Sequence, residues 1–389
     1  MRQALVFFHR YVGLALAAIL FVAGLTGAVL AFQREIDGAL NPDLYRARSG
    51  AAPLPLDDLK AGVEARLPQA SVGAIQPPWE PGATALLRVE PRKGAVLDYD
   101  EVYVDPGTGA VQGTRLWGAC CLGRKEVVPF LFKLHYTLHL PGLWGVWITG
   151  GAAVLWTLDC FVALALSAPR GGRILESWRR AISIKPGAGG HRRLMDLHRA
   201  PGLWLWVVLL LIAATGVGLN LRDQVFEPVV SIFTPVSPPI FKRPIPPGER
   251  PDAVTFDGAV AQAMSSAQAQ GRPGHAAYVL YSPDLHLYGI AVATRAEGDP
   301  RAGMGPDWYY VDARDGRLRA AELAGRGALG DVIMQARLPL HTGLILDVWG
   351  QILVCLAGIA TAALSFTGVL VWASKRRARN RKTAPPQRR

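Results

Sequence analysis

Cysteine is scarce in this chain, with four in 389 residues, which excludes the disulfide framework of small secreted domains. Cys160 and Cys355 fall in apolar runs and read as small core residues. Cys120 and Cys121 are adjacent in a polar stretch. Adjacent cysteines rarely bridge each other, so redox activity, metal binding and no role at all stay open, the last being favoured. No Gly-x-Gly-x-x-Gly joins a strand to a helix, which excludes a built-in nicotinamide or flavin site of that kind. The first apolar run ends without a clear Ala-x-Ala cleavage site, and its 22 residues exceed a signal h-region. Although Arg2 and Arg10 precede it, it is expected to be retained. Acidic residues are missing from 375–389, where eight residues are Lys or Arg.

What is abundant is apolar sequence, half of all residues, and it is concentrated. Runs at 11–32, 142–168, 203–221 and 351–373 each have the length that spans a hydrocarbon core of about 30 Å. Four membrane helices are predicted. The connection 169–199 holds eight Lys or Arg against two acidic residues, whereas 33–134 and 222–340 each hold twelve basic and thirteen acidic residues. Positive excess marks the cytoplasmic side, so both termini are expected inside and the two long connections outside, in a bacterial periplasm. The pI of 9.8 follows from this orientation signal and needs no nucleic-acid partner.

The long connections resemble each other. In the first, helical spacing at Leu56 to Leu67 is followed by extended runs at Ser71 to Ile75 and Thr84 to Val89, then a hairpin signature at Tyr103-Val104-Asp105-Pro106 with Gly109. In the second, a helix from about Phe256 to Ala269 precedes extended runs at Ala277 to Tyr281 and His286 to Ala293, and Tyr310-Val311-Asp312 recurs with Gly316. The pattern predicts a tandem duplication of helix, small α+β domain, helix. Dense prolines between Pro228 and Pro251 predict an extended segment, and the tail after Lys375 is expected to be disordered.

Histidines carry the chemistry. His9-Arg10-x-x-Gly13-Leu14 with Thr26-Gly27 is repeated as His198-Arg199-x-x-Gly202-Leu203 with Thr215-Gly216 at the same offset. His135, His139 and His341 stand at the starts of the other two apolar segments. The predicted topology sorts them, with His9 and His198 at the cytoplasmic face and the rest at or just above the outer face. A haem bound by two histidines takes neutral imidazoles from opposite sides of the ring, usually on separate helices, and is then suited to electron transfer. Two stacked haems fit this sorting. His135 is favoured as the outer ligand with His139, one turn away on nearly the same helix face, supporting it. Arg10 and Arg199 are candidates to pair with propionates, although the positive-inside rule also accounts for them. Asp159 lies at membrane depth, where a carboxylate is costly; support of a ligand, proton handling and a protonated structural role all remain open. His191, His275 and His286 read as solvated, and the tryptophans at 144, 147, 204, 206, 349 and 372 as an interfacial belt.

The strings Phe130-Leu-Phe-Lys-Leu-His135-Tyr-Thr-Leu, Leu155-Trp-Thr-Leu-Asp159-Cys160-Phe-Val, Asp196-Leu-His198-Arg199-Ala-x-Gly202-Leu-Trp204, Leu340-His341-Thr-Gly343 and Thr367-Gly368-Val-Leu-x-Trp372 resemble the PepSY-associated transmembrane helix proteins. These are iron-regulated membrane proteins that include the ferric-siderophore reductases of the inner membrane. The resemblance covers nearly the whole chain. It implies two b-type haems, one on His9 and His198 and one on His135 and His341, with PepSY-like periplasmic domains and reduction of a ferric siderophore outside, using electrons from a quinol or a cytoplasmic reductase. One departure stands out: the family often has Gly-x-x-Gly soon after the histidine of helix four, and here Asp347 takes the first glycine's place before Gly350.

The expected organisation is therefore a four-helix membrane protein with two small α+β domains, internally duplicated. Its segments are helix one at 1–34, a periplasmic domain at 35–130, helix two at 131–168, a cytoplasmic loop at 169–197 and helix three at 198–222. A second periplasmic domain follows at 223–338, then helix four at 339–374 and a basic tail at 375–389. The competing reading is a haem-free membrane protein whose PepSY-like domains bind a peptide, a peptidase or a metal chelate.

Overall fold

The computed structural model describes residues 1–121, 123–168, 174–242, 251–294 and 299–383. Along the chain, α1 (Arg2–Leu30) leads to α2 (Leu56–Arg66) and strands β1 (Ala70–Gln76), β2 (Ala85–Pro91), β3 (Glu101–Val104) and β4 (Val111–Arg115). The chain then enters α3 (Val127–Thr137), α4 (Trp144–Ser167), α5 (Gly190–Trp204) and α6 (Trp206–Asn220). The same order of elements follows again: α7 (Phe256–Ala269), β5 (His275–Ser282), β6 (Leu287–Ala293), β7 (Asp307–Asp312), β8 (Leu318–Glu322), α8 (Leu329–Thr342) and α9 (Asp347–Thr383).

Among the described residues, three helices are long and apolar enough to cross a membrane, and α5 with α6 makes a fourth span if the bent pair counts as one. Helices α1 and α9 meet backbone to backbone. A Cβ on Gly24 would lie 2.6 Å from the carbonyl oxygen of Gly358, and one on Gly358 would lie 2.6 Å from that of Gly24, so only glycine lets the two axes come so close. Helix α4 packs on α6, with Gly150 against Leu221.

Three of the four predicted helices are not continuous. The segment expected as one helix over 131–168 stops at Leu138 and His139, both left-handed with φ of 53° and 55°. Pro141 lies just beyond, where helical backbone is disfavoured before the ring, and Gly142 has φ 57°. His139 is therefore not on the helix face of His135. The last span is broken likewise, at Gly343 with φ 81° and at Asp347 with φ 56°. Gly343 and Gly350 are pressed together there, since a Cβ on Gly350 would meet the carbonyl oxygen of Gly343. The third span bends by 71° between Trp204 and Trp206, downstream of Pro201, which lacks the amide proton that would continue the helical ladder. Both indoles anchor the bend, Trp204 donating to the carbonyl of Ile182 and Trp206 to that of Cys160, each at 2.8 Å. Trp206 is thus a bundle contact rather than a belt residue. The tail expected to be disordered continues α9 to Thr383, an extension that needs only good helix formers once a nucleus exists. Pro244, Pro246 and Pro247 of the proline-dense segment, and residues 384–389, lie outside the described residues.

The two long connections are not separate domains. Their strands form one eight-stranded antiparallel sheet in the order β4-β3-β2-β1-β5-β6-β7-β8, closed at its centre by Ala74 opposite Leu280 and Ile75 opposite Val279. Leu59 and Val63 of α2 share one core with Phe256, Ala259 and Ala263 of α7. The N-termini of these two helices cap each other. Asp57 accepts from the amides of Phe256 and Asp257, and Asp257 accepts from those of Leu56 and Asp57, at 2.9–3.0 Å. Each carboxylate satisfies amides that its partner helix leaves open.

The hairpin aspartates are held in the turns where the motif places them. Asp105 accepts from the Ser49 hydroxyl and from the amides of Ser49, Gly107 and Thr108, and Asp312 binds Arg314 and Arg319. Cys120 and Cys121, for which mutual pairing was not expected, are joined to each other.

Two of the ties between the sheet and the helical layer lie at the same end of the bundle. Arg115 is buried between Asp37, on the short helix Gln33–Leu40 that follows α1, and Glu101 of β3, at 2.7 and 2.8 Å. The amide of Gly303 donates to the carbonyl of Leu344, three residues past His341, at 2.9 Å. The sheet therefore caps the end of the bundle that holds His135 and His341.

Candidate cofactor site

Four imidazoles form two pairs. His9 of α1 faces His198 of α5 with ring centroids 6.1 Å apart, and His135 of α3 faces His341 of α8, also at 6.1 Å. The first pair is distal to the sheet and the second proximal. Seventeen residues separate His9 from Thr26, which touches His135. That is about 25 Å of helix rise, close to the thickness of a hydrocarbon core, about 30 Å.

Each imidazole is braced through Nδ1 by a residue from another element. Thr26 of α1 holds His135 at 3.0 Å, Thr215 of α6 holds His341 at 3.0 Å, Thr367 of α9 holds His198 at 3.1 Å, and both carboxylate oxygens of Asp159 of α4 lie 2.9 Å from His9. The threonines settle the tautomer. Each uses its hydroxyl proton on the carbonyl four residues earlier, that of Val22, Leu211 or Ala363, at 2.6–2.7 Å, so its oxygen is left to accept. Nδ1 must then donate, and in a neutral ring that leaves the lone pair on Nε2. No described residue hydrogen-bonds Nε2 of these four rings.

A glycine follows each of the three threonines. A Cβ on Gly27 would lie 3.0 Å from Cε1 of His135, and one on Gly368 would lie 3.2 Å from Cε1 of His198. Gly216 stands at 3.6 Å from Cε1 of His341. The Thr-Gly pair is thus a seat on which an imidazole lies against helix backbone. His9 is braced by Asp159 without a following glycine, since Cys160 comes next.

Haem fits this donor set. Two metal–imidazole bonds of about 2 Å each, added to the two half-rings, make about 6 Å between ring centres. Two imidazoles are too few for a bare tetrahedral metal, and among the described residues no group of three or more His, Cys, Asp or Glu gathers for one. Two is the number of axial positions that a porphyrin leaves on iron.

The other candidates are placed differently. His139 stacks on Phe130, and its Nε2 lies 2.9 Å from that residue's carbonyl oxygen, so it supports the turn after α3 rather than the His135 ring. Arg199 donates to the carbonyls of Ala181 and Arg180 and to Asp196; it pins the loop before α5. Arg10 has no such tie among the described residues. His191 contacts Ser374, and His286 contacts Asp252. The bracing role of the three threonines was not assigned from sequence, although Thr-Gly at 26–27, 215–216 and 367–368 was a readable signal.

The fold and the paired histidines define a helical membrane protein with an extramembrane sheet. The chain belongs to the PepSY-associated TM region family, whose model matches residues 7–375. No curated protein sequence matches it.

Proposed function

We propose that this protein is a di-haem ferric-siderophore reductase of the bacterial inner membrane, taking electrons from the quinol pool or a cytoplasmic reductase and releasing Fe(II) on the periplasmic side. The observation that carries the reading is the meeting of two histidine pairs at opposite levels of the bundle, each ring with Nε2 left free. Haem b in both sites would supply two one-electron carriers at the two faces of the membrane.

The residues of the chain do the rest. His9 and His198 would hold the inner group, and His135 and His341 the outer. Thr26, Thr215, Thr367 and Asp159 fix ring orientation and keep the Nε2 lone pair available. The basic stretches at 169–199 and 375–389 support a distal pair in the cytoplasmic leaflet, and the sheet, read as two PepSY-like halves of an internal duplication, would then stand in the periplasm over the outer pair. A ferric chelate docked there would accept one electron. Ferrous iron has the lower charge density and is held less tightly by hard oxygen donors, so it leaves the chelate.

An absorbance spectrum tests this. Purified protein should show a Soret band that shifts on dithionite and loses about half its intensity in His198→Ala and in His341→Ala, and the reduced protein should be reoxidised by members of a ferric-chelate panel. A colourless protein would overturn the reading in favour of a haem-free module that binds a peptide, a peptidase or a chelate.

A further inference from the structure

Three of the four imidazoles rest on a neutral hydroxyl, and one rests on a carboxylate. Thr26, Thr215 and Thr367 each turn a single lone pair to Nδ1, their protons being held by backbone carbonyls. Asp159 instead presents both oxygens to Nδ1 of His9 at 2.9 Å. It is 9% exposed, and His9 is its only hydrogen-bond partner among the described residues. A carboxylate at this depth costs several times what a threonine would, and threonine serves at the other three positions, so helix packing alone does not call for it.

We propose that Asp159 is a positioning residue that sets the distal site at a lower reduction potential than the proximal one. The inference rests on the haem reading above. A carboxylate draws the Nδ1 proton of His9 more strongly than a hydroxyl does, which leaves more negative charge on Nε2. A more electron-rich axial donor favours ferric over ferrous iron. The proximal pair, braced by Thr26 and Thr215, receives no such push. The asymmetry makes the ferrous state more favourable at the sheet-side level than at the distal level, which gives the four-helix frame a direction that its near-symmetric histidines lack.

The test is a potentiometric titration of the purified holoprotein, followed optically, for the wild type, Asp159→Asn, Asp159→Thr and His198→Ala. Two components are expected in the wild type, separated by at least about tenfold in the ferrous-to-ferric ratio at any set potential, which is about 59 mV for a one-electron couple. His198→Ala should retain the higher-potential component. Asp159→Asn and Asp159→Thr should raise the lower component about tenfold in that ratio and leave the other in place. The proposal is overturned if His198→Ala retains the lower component, a result that stands even where an Asp159 variant fails to load. It is also overturned if both Asp159 variants load fully with neither component moved. Absence of haem from the wild type would instead sink the reading on which the proposal rests.

Discussion

The two halves of the chain solve one problem with nearly the same parts. In the first, α1 and the α3–α4 span exchange supports, Thr26 bracing His135 and Asp159 bracing His9. In the second, the α5–α6 span and the α8–α9 span do the same through Thr215 on His341 and Thr367 on His198. Each histidine then pairs with its counterpart from the other half. Supports lie within a half and ligand pairs lie between halves, so neither half is a complete site. Where the halves differ, the difference marks what one half does alone: Asp159 in place of Thr-Gly, the buried Arg115 knot in the first half of the sheet, and Asp347 at a position where backbone conformation favours glycine.

Breaking the pairing should have the largest effect. His9→Ala should empty the distal site alone and His135→Ala the proximal site alone, each removing about half the Soret absorbance per protein. If one substitution emptied both sites, the two levels would not be independent.

Next in size is the buried knot of the first half. Arg115→Met leaves Asp37 buried without its cation and leaves Glu101 with Arg88 alone, and should cost about 3–5 kcal/mol, read as a lowered midpoint of thermal unfolding in detergent. A change below about 1 kcal/mol would mean that the two carboxylates find other partners.

Acid sharpens the comparison of the hairpins. Burial raises the Asp105 carboxyl, but hydrogen bonds from Ser49, Thr108 and Gly107 outweigh it and bring it down to about 2. A carboxyl lowered in the folded state contributes stability that is fully present above its unfolded value, about 4, and is lost as pH falls through about 2. Asp105→Asn should therefore destabilise by roughly 2 kcal/mol at neutral pH, and its gap from the wild type should close between about pH 4 and pH 2. Denaturant unfolding over a pH series checks it, and a gap independent of pH would contradict the assignment. Asp312 is lowered through Arg314 foremost, against a smaller burial penalty, with Arg319 adding to the fall. Asp312→Asn should behave in the same sense.

The smallest effects concern the breaks in the spans. Asp347 adopts φ 56° and ψ −145°, a conformation that favours glycine, while its carboxylate accepts from the amide of Val348 at 3.0 Å. Relief of backbone strain and loss of that bond offset each other, so Asp347→Gly should change stability by less than about 1 kcal/mol, and a larger shift on thermal unfolding would show that one of the two dominates. His139→Ala should leave the Soret band unchanged, because the ring stacks on Phe130 away from the pair.

Much of this arrangement was legible in the chain. The helix at Leu56 and the runs at Ser71 to Ile75 and His286 to Ala293 coincide with α2, β1 and β6, because alternation and turn residues report local geometry directly. Sorting the spans by charge grouped His9 with His198 and set His135, His139 and His341 together, and the structure pairs His9 with His198 and His135 with His341. His139 misled because helical phase was carried through Leu138, where Leu-His-Leu-Pro-Gly breaks it. The ties of Arg199 to the carbonyls of Ala181 and Arg180 were not legible, because those groups are distant in sequence.

By itself the sequence determined the apolar spans and the two sets of strands, since these depend on composition and short-range periodicity. Only the tertiary structure decided that the two strand sets form one sheet, that Thr-Gly and Asp159 are seats for imidazoles, and which ring nitrogen stays free. Those outcomes depend on groups far apart in the chain meeting at hydrogen-bond distance. A linear pattern places a residue on a face, but the partner on the opposing face is chosen by packing.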